Sequence, residues 1–178
     1  MKMYKDYIVI RRKVKYARLE IKNNKIHLIM PENSKEKPEK LIERHKEWIK
    51  RKIGFVKEIE DLSEKCGLFN HKNLEEIVFN NIDEIKEILN VKPEKVIFRK
   101  MKRRWASCSS KDKLIFNKLL KFLPYELIRY IVIHELCHLI IKNHRKNFWE
   151  LIEKICPDSK EKEKLLLAYE FKLTRKNL

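Results

Sequence analysis

A chain of 178 residues with 43% hydrophobic residues and a formal net charge of +17 has the size and apolar content of one compact domain. Its scarcity of glycine (two) and proline (five) excludes a fibrous or disordered chain, and no apolar run approaches the roughly 18 residues that would span a membrane. The first residues lack the apolar core of a secretory signal, so we expect a cytoplasmic protein.

A small sheet is predicted at the start of the chain. Residues 7–10 and 26–30 are β-rich runs, and residues 17–21 alternate between apolar and polar positions. Asn23-Asn24 suits a tight hairpin turn because Asn tolerates positive φ. Pro31 is then expected to end the sheet, since proline has no N–H to donate to a neighbouring strand.

Helical spacing replaces strand spacing after this sheet. Ser34 precedes an amphipathic stretch that continues to about Lys65, and the interval from Asn73 to Asn90 has the same periodicity. We therefore predict an N-terminal lobe over residues 1–65, made of a β-hairpin and a long helix. Residues 73–178 are predicted to form the core of the same single domain.

The core begins with a helix and a second pair of strands. Val96-Ile97-Phe98 opens a strand that we expect to continue through the basic run to Arg104, and residues 114–117 form its return strand after a turn at residues 109–112. Three further helices are predicted, from Pro124 to about Lys142, from Lys146 to Ile155 and from Ser159 through Phe171. The fold class is therefore α+β, with a sheet packed on the first of these three helices.

The sequence His134-Glu135-Leu136-Cys137-His138 lies on that helix, between apolar flanks. Residues four apart on a helix face the same side, so both imidazoles can bind one divalent ion, for which Zn²⁺ is the default. Glu135 is rotated by about 100° from His134, so it misses the metal but reaches a water bound there. The pattern predicts that Glu135 is a general base, which takes a proton from that water as it attacks a carbonyl group.

A third ligand is needed, and His144 is the first candidate. It follows His138 by six residues, which on a straight helix would place it on the wrong face. The helix must therefore end first, and we expect the turn at Asn143, which can adopt positive φ more easily than Ile141. Glu150 and Glu153 on the next helix are competing third ligands.

The spacing His134-Glu135-Leu136-x-His138-x5-His144-x3-Phe148-Trp149, preceded by Arg104-Trp105-Ala106-Ser107-Cys108-Ser109, resembles the YgjP-like metallopeptidase family. These proteins are zincin relatives, close to the SprT and WLM metalloprotease groups. The resemblance implies a small zincin-like core, His134, His138 and His144 as metal ligands, and Glu135 as the catalytic base. The family usually has Gly at the position of Ala106, which puts the local strand geometry in question if that residue needs positive φ.

In zincins, which this chain resembles, an edge strand beside the motif helix commonly pairs with extended substrate, and the resemblance implies this role for the hairpin from Trp105 to Asn117. Four residues of this edge strand and its return strand are the candidate substrate-binding residues: Arg103, Arg104, Trp105 and Asn117. Packing in the core is the alternative for Trp105.

Positive charge is concentrated in two segments. Residues 1–30 carry nine Lys and Arg against two acidic residues, and residues 99–121 carry nine against one. Such clusters favour an anionic substrate or a nucleic-acid partner. Lys outnumbers Arg 32 to 11, however, which equally fits a lysine-rich composition, because specific phosphate sites favour Arg.

The predicted function is that of a metal-dependent hydrolase, and a zinc metallopeptidase is the preferred interpretation. The expected substrate is a peptide or an anionic small molecule. Two alternatives stay open. One is a metal-dependent hydrolase of nucleotide phosphate anhydrides, although no Gly-rich phosphate loop accompanies the basic segments. The other is a nucleic-acid-associated module with structural zinc. The motif alone does not separate Zn²⁺ from Ni²⁺, Co²⁺ or Mn²⁺.

Overall fold

The computed structural model describes residues 7–22, 25–102 and 104–176, which form six α-helices and two small mixed sheets. The chain divides into two compact units, residues 1–61 and residues 62–178. The α+β class predicted from the sequence is confirmed. Among the described residues, no helix is both long enough and apolar enough to cross a membrane.

The first unit contains a three-stranded sheet with β1 (Tyr7–Arg12), β2 (Arg18–Lys22) and β3 (Lys25–Pro31). β3 lies in the centre, parallel to β1 and antiparallel to β2, so both of its edges are paired. The predicted strands and the end of the sheet at Pro31 are confirmed. The predicted turn at Asn23-Asn24 lies outside the described residues.

Two helices follow this sheet where a single helix from Ser34 was expected. They are α1 (Pro38–Arg44) and α2 (Lys46–Lys65), and the break lies at His45, where φ is −108° and ψ is 13°. Pro38 suits the first turn of a helix because its missing N–H would be unbonded there, which explains the later start. Ile42 and Ile49 from these helices are buried with Ile26 of β3.

The second unit opens with α3 (Leu74–Leu89), which ends at Asn90 in the left-handed conformation. Its sheet has β6 (Lys113–Asn117) in the centre, with β4 (Lys95–Arg99) parallel on one side and β5 (Ala106–Cys108) antiparallel on the other. The expected continuous strand to Arg104 is therefore wrong. β4 and β5 flank opposite sides of β6, so they are separate strands, and the described residues between them, 100–102, 104 and 105, belong to the crossing segment.

A 3₁₀ turn (Lys118–Phe122) leads into α4 (Tyr125–Ile140), and α5 (Lys146–Ile155) and α6 (Ser159–Arg175) complete the chain. α4 packs against α3, α5, α6 and β5. This central position requires apolar residues on every side of the helix. Ile128, Ile131 and Val132 are among the residues of α4 that are buried. The second half of this buried helix carries the histidine motif.

Candidate metal centre

The imidazoles of His134, His138 and His144 converge at the C-terminal half of α4. The Nε2 atom of His144 lies 3.0 Å from that of His134 and 3.1 Å from that of His138. One ligand atom from each residue falls within 4.8 Å of the others, and no other such group occurs in the described parts of the chain. Tetrahedral Zn²⁺ with Zn–N bonds of about 2.0–2.1 Å would separate its nitrogen ligands by about 3.3 Å, so the three nitrogens fit such an ion with small adjustments.

His144 reaches this cluster because α4 ends at Ile140, earlier than expected. Ile141 is extended, with φ of −128° and ψ of 106°, and this conformation suits a β-branched side chain. The positive φ expected at Asn143 is wrong, because only Asn90 and Asp112 among the described non-glycine residues have one. The expectation that His144 is presented from a loop is confirmed.

Glu150 and Glu153, the competing third ligands, are directed to lysines in the structure. The carboxylate of Glu150 lies 3.4 Å from the amine of Lys146, and that of Glu153 lies 3.0 Å from the amine of Lys160. Neither carboxylate joins the histidine group. The geometry therefore favours His144 over both glutamates.

Ring orientation at the site is fixed by neighbours of the histidines. The Nδ1 atom of His138 lies 2.9 Å from the carbonyl oxygen of Ile141, at the end of the same helix. A proton on Nδ1 donated to that carbonyl leaves the lone pair on Nε2 free for a metal. Trp149 of α5 donates its indole N–H to the carbonyl oxygen of His144 at 3.1 Å, which holds the loop at the third imidazole.

Phe148 packs against all three imidazoles. Its ring stacks on His138 with centroids 4.4 Å apart and meets His134 and His144 edge-on at 5.0 and 4.9 Å. The Phe148 side chain is fully buried. This packing role was not anticipated from the sequence, although an aromatic pair on the helix directly after His144 was the available signal.

Electrostatics at the site favour neutral imidazoles. Burial, and to a lesser degree the neighbouring His138 and His144, lower the pKa of His134 to about 3. Burial also lowers the pKa of His138. At neutral pH both rings are therefore uncharged and have lone pairs to donate, which is the form that binds a metal ion.

Glu135 follows His134 on α4, about 100° around the helix axis, and is 6% exposed. The backbone N–H of Cys108 on β5 lies close enough to the carboxylate to oppose the rise in its pKa, and the Oε2 atom has no hydrogen-bond partner among the described residues. Burial raises the pKa of Glu135 to about 8, against opposing effects of Arg104 and the Cys108 N–H. An unpartnered buried carboxylate oxygen is costly, so the site suits a water or another polar group at this position.

The outer edge of β5 is next to this carboxylate. Asn117 donates its backbone N–H to Trp105 at 2.8 Å, and Ser109 donates to Lys113 at 2.9 Å. Because alternate residues of an antiparallel strand bond to the same neighbour, the N–H and C=O groups of Ala106 and Cys108 face away from β6. Ala106 does not have positive φ, so the usual glycine is not needed for the backbone here.

Asn117, a predicted substrate-binding residue, holds the crossing segment instead of facing solvent. Its side chain donates to the carbonyl oxygens of Met101 and Arg104 at 2.8 and 2.7 Å and accepts from the N–H groups of Met101 and Leu119. It is only 2% exposed, so a substrate contact would have to replace one of these bonds. Of the other predicted residues, Arg104 is exposed and Trp105 is half-buried, whereas Arg103 lies outside the described residues.

This chain is similar to one protein family and to solved structures of metallopeptidase zymogens. The family model described as the YgjP-like metallopeptidase domain matches residues 57–169. The solved metallopeptidase zymogen abylysin of Pyrococcus abyssi is 29% identical over 51% of this chain and 92% of its own, with a TM-score of 0.47. The metallopeptidase zymogen jannalysin of Methanocaldococcus jannaschii is 29% identical over 61% of this chain and 100% of its own, with a TM-score of 0.44. A search of the curated proteins found no match.

Proposed function

Because this chain belongs to the YgjP-like metallopeptidase family and is thus a metal-dependent peptidase, we propose that its metal is zinc, held by His134, His138 and His144, and that Glu135 is the general base. One observation carries this proposal. Three imidazoles converge, and the pKa values of two of them, His134 and His138, are lowered. Next to His134 on the helix, the buried carboxylate of Glu135 has an oxygen without a hydrogen-bond partner. Three nitrogen donors and a nearby base are the requirements of zinc-dependent hydrolysis.

His134, His138 and His144 would hold the ion, which when bound would supply a Lewis acid that lowers the pKa of a water. The residues of this chain supply the rest. Glu135 takes a proton from the attacking water and delivers it to the leaving amine, for which a pKa near neutrality is suited. The Oε2 atom of Glu135 is buried without a hydrogen-bond partner, so it is available for the proton.

The peptide substrate is proposed to lie along the outer edge of β5. Ala106 and Cys108 each offer an N–H and a C=O on that side. A bound strand would therefore take its main-chain bonds from these two residues. Arg104, exposed and close enough to affect the Glu135 carboxylate, adds positive charge to the rim.

The two alternatives have less support. A structural zinc site is expected to be closed by four protein ligands, but within the described ranges only three ligand residues converge. Hydrolysis of phosphate anhydrides usually relies on carboxylates that hold Mg²⁺, and in that same part of the chain no carboxylate cluster accompanies the histidines. Peptide cleavage therefore remains the function that the geometry supports best.

The test compares wild-type protein with Glu135→Gln and a matched Glu150→Gln control, since Glu150 is exposed on α5. All three proteins are loaded with zinc, their metal content is measured, and cleavage of casein and of a quenched-fluorescence peptide mixture is followed. We expect Glu135→Gln to keep one zinc and lose at least about 100-fold in kcat/KM, because general base catalysis contributes about that much. Full cleavage by Glu135→Gln would overturn the proposed role of Glu135.

The metal is tested separately. Removing zinc with a chelator should abolish cleavage, and adding back Zn²⁺, Co²⁺, Ni²⁺ or Mn²⁺ one at a time identifies the ion that restores it. Alanine at His144 should reduce both metal content and cleavage, whereas alanine at Glu153 should reduce neither. Retention of zinc by the His144 variant would show that the third ligand lies elsewhere.

A further inference from the structure

The first unit contains a groove that has no part in the metal centre. It has a volume of about 310 Å³ and is lined by residues of the sheet and of both helices: Ala17, Arg18, Leu19, Leu28, Leu41, His45 and Trp48. The volume is in the range of sites that bind small ligands or side chains. Its lining residues all belong to residues 1–61, so the groove is a feature of that unit alone.

One wall of the groove is an edge strand. In the sheet order β1-β3-β2, β2 pairs with β3 on one side and with none of the described residues on the other, and Arg18 and Leu19 of β2 line the groove. Leu28 of β3 lines it next to them, and Leu41 and Trp48 belong to the helices on the other side. An edge strand beside a groove is the arrangement by which extended peptides add to a sheet, with one side chain placed in the groove.

The lining favours an apolar side chain. Four of its residues are aliphatic, and the half-buried Trp48 packs against the cluster of Ile26, Ile42 and Ile49. Single-stranded nucleic acid instead uses exposed aromatic rings on which successive bases stack. A ring that is half-buried in an aliphatic cluster offers little of that surface, so the groove suits a polypeptide better.

Positively charged residues lie beside the groove and indicate which charges a bound segment would carry next to its apolar side chain. From Tyr7 to Leu19 the chain has five cationic residues and no acidic one. Arg12, Lys13 and Lys15 are exposed in the segment that leads directly into the groove, and Arg18 lines it while also bonding to Glu20. A segment that binds here would be attracted if it carried acidic residues beside its apolar side chain.

We infer that this groove is a docking site for an extended acidic polypeptide segment with an apolar anchor residue. The segment adds to the free edge of β2, its anchor enters the cavity among Leu28, Leu41 and Trp48, and its carboxylates face the cations of residues 11–18. If the proposed peptidase function holds, such a site would recruit protein substrates through the first unit. It does not depend on the metal or on Glu135, so it can be tested in protein that cannot cleave.

The experiment uses full-length Glu135→Gln protein and a fluorescein-labelled peptide of sequence Glu-Asp-Glu-Leu-Phe-Leu-Glu-Asp-Glu, with binding followed by fluorescence anisotropy. Ala17→Trp fills the groove from its rim and should weaken binding at least tenfold. Arg18→Glu reverses a lining charge and should weaken binding by about threefold or more, as for a rim charge pair. Arg51→Glu is the matched control, because Arg51 is an exposed residue of α2 outside the groove, and it should change binding less than twofold.

Each outcome decides the inference, provided that circular dichroism shows the variants to be folded. No binding of the peptide, equal weakening by Arg18→Glu and Arg51→Glu, or no effect of Ala17→Trp would overturn it. Tighter binding of a labelled single-stranded oligonucleotide that is lost in Ala17→Trp would assign the groove to nucleic acid instead. In protein that keeps Glu135, Ala17→Trp should also slow the cleavage of a protein that carries the acidic segment. The same variant should leave cleavage of a short neutral peptide unchanged.

Discussion

Trp149→Phe tests how the third metal ligand is held. The change keeps an aromatic ring on α5 but removes the indole N–H that donates to the His144 carbonyl at 3.1 Å. A hydrogen bond of this kind contributes about 0.5–1.5 kcal/mol net, so loss of the bond should weaken metal binding by about 2- to 10-fold. The stacking of Phe148 on His138 and its edge contacts with the other two imidazoles remain, so the site should still form.

Zinc affinity is measured by competition with a chromogenic chelator at fixed pH, with Trp48→Phe as the control for the loss of an indole. Trp48 belongs to the first unit and has no role in the metal site, so its variant should keep the wild-type affinity. Equal affinity in Trp149→Phe and wild type would refute the idea that the N–H orders His144. Loss of more than about 100-fold would also refute it, because one hydrogen bond cannot supply that much.

Three further predictions follow from the same site and its neighbours. Phe148→Ala should lower the free energy of unfolding of the metal-free protein by about 3–5 kcal/mol, because it leaves a cavity at a fully buried position. Urea titrations measure this loss, and a value below about 1 kcal/mol would contradict the packing described. Lys142→Met removes the ion pair with Asp112, whose partners are 47% and 48% exposed, so it should cost less than about 1 kcal/mol in the same titrations. In the metal-free protein, the folded pKa of Glu135 is raised to about 8, so this group stabilises the fold less as pH rises from its ordinary value of 4.5 toward 8. His134, with its pKa lowered from 6.5 to about 3, acts oppositely and reduces stability as pH falls below 6.5. The melting temperature of wild type should therefore drop relative to Glu135→Gln between pH 4.5 and 8, and parallel curves would show that Glu135 is not buried as described.

The helix that carries the motif was predictable because its signals are local. Spacing of four residues places His134 and His138 on one face, and the apolar flanks indicate burial, so the position of both rings followed from the sequence. The end of this helix was harder to predict. Ile141 leaves the helix in an extended conformation, which suits its β-branched side chain, but isoleucine also occurs inside the same helix at Ile131 and Ile133, so its type does not decide where the helix ends. Its carbonyl then serves His138, which is a contact that depends on the folded loop.

Pairing between distant segments was the other part that the sequence did not determine. A β-rich run such as residues 96–98 predicts a strand, but period-two alternation does not reveal which edge of which neighbour it joins. The chain places β4 and β5 on opposite sides of β6, and the buried amide of Asn117 is bonded to the segment that makes the crossing. The sequence places Asn117 at the end of the return strand but does not show that its side chain bonds to the segment between β4 and β5.

The contact of one phenyl ring with three imidazoles has a consequence for the kinetics of metal capture. Phe148 restricts the rotation of His134, His138 and His144 when the chain folds, so the loss of rotameric freedom occurs before any ion arrives. An ion that enters this site then meets donors that are already oriented, and its binding need not order them one after another. We therefore expect association close to the rate of ligand exchange on the hydrated ion, with differences in affinity between metals expressed mainly in how slowly each one leaves.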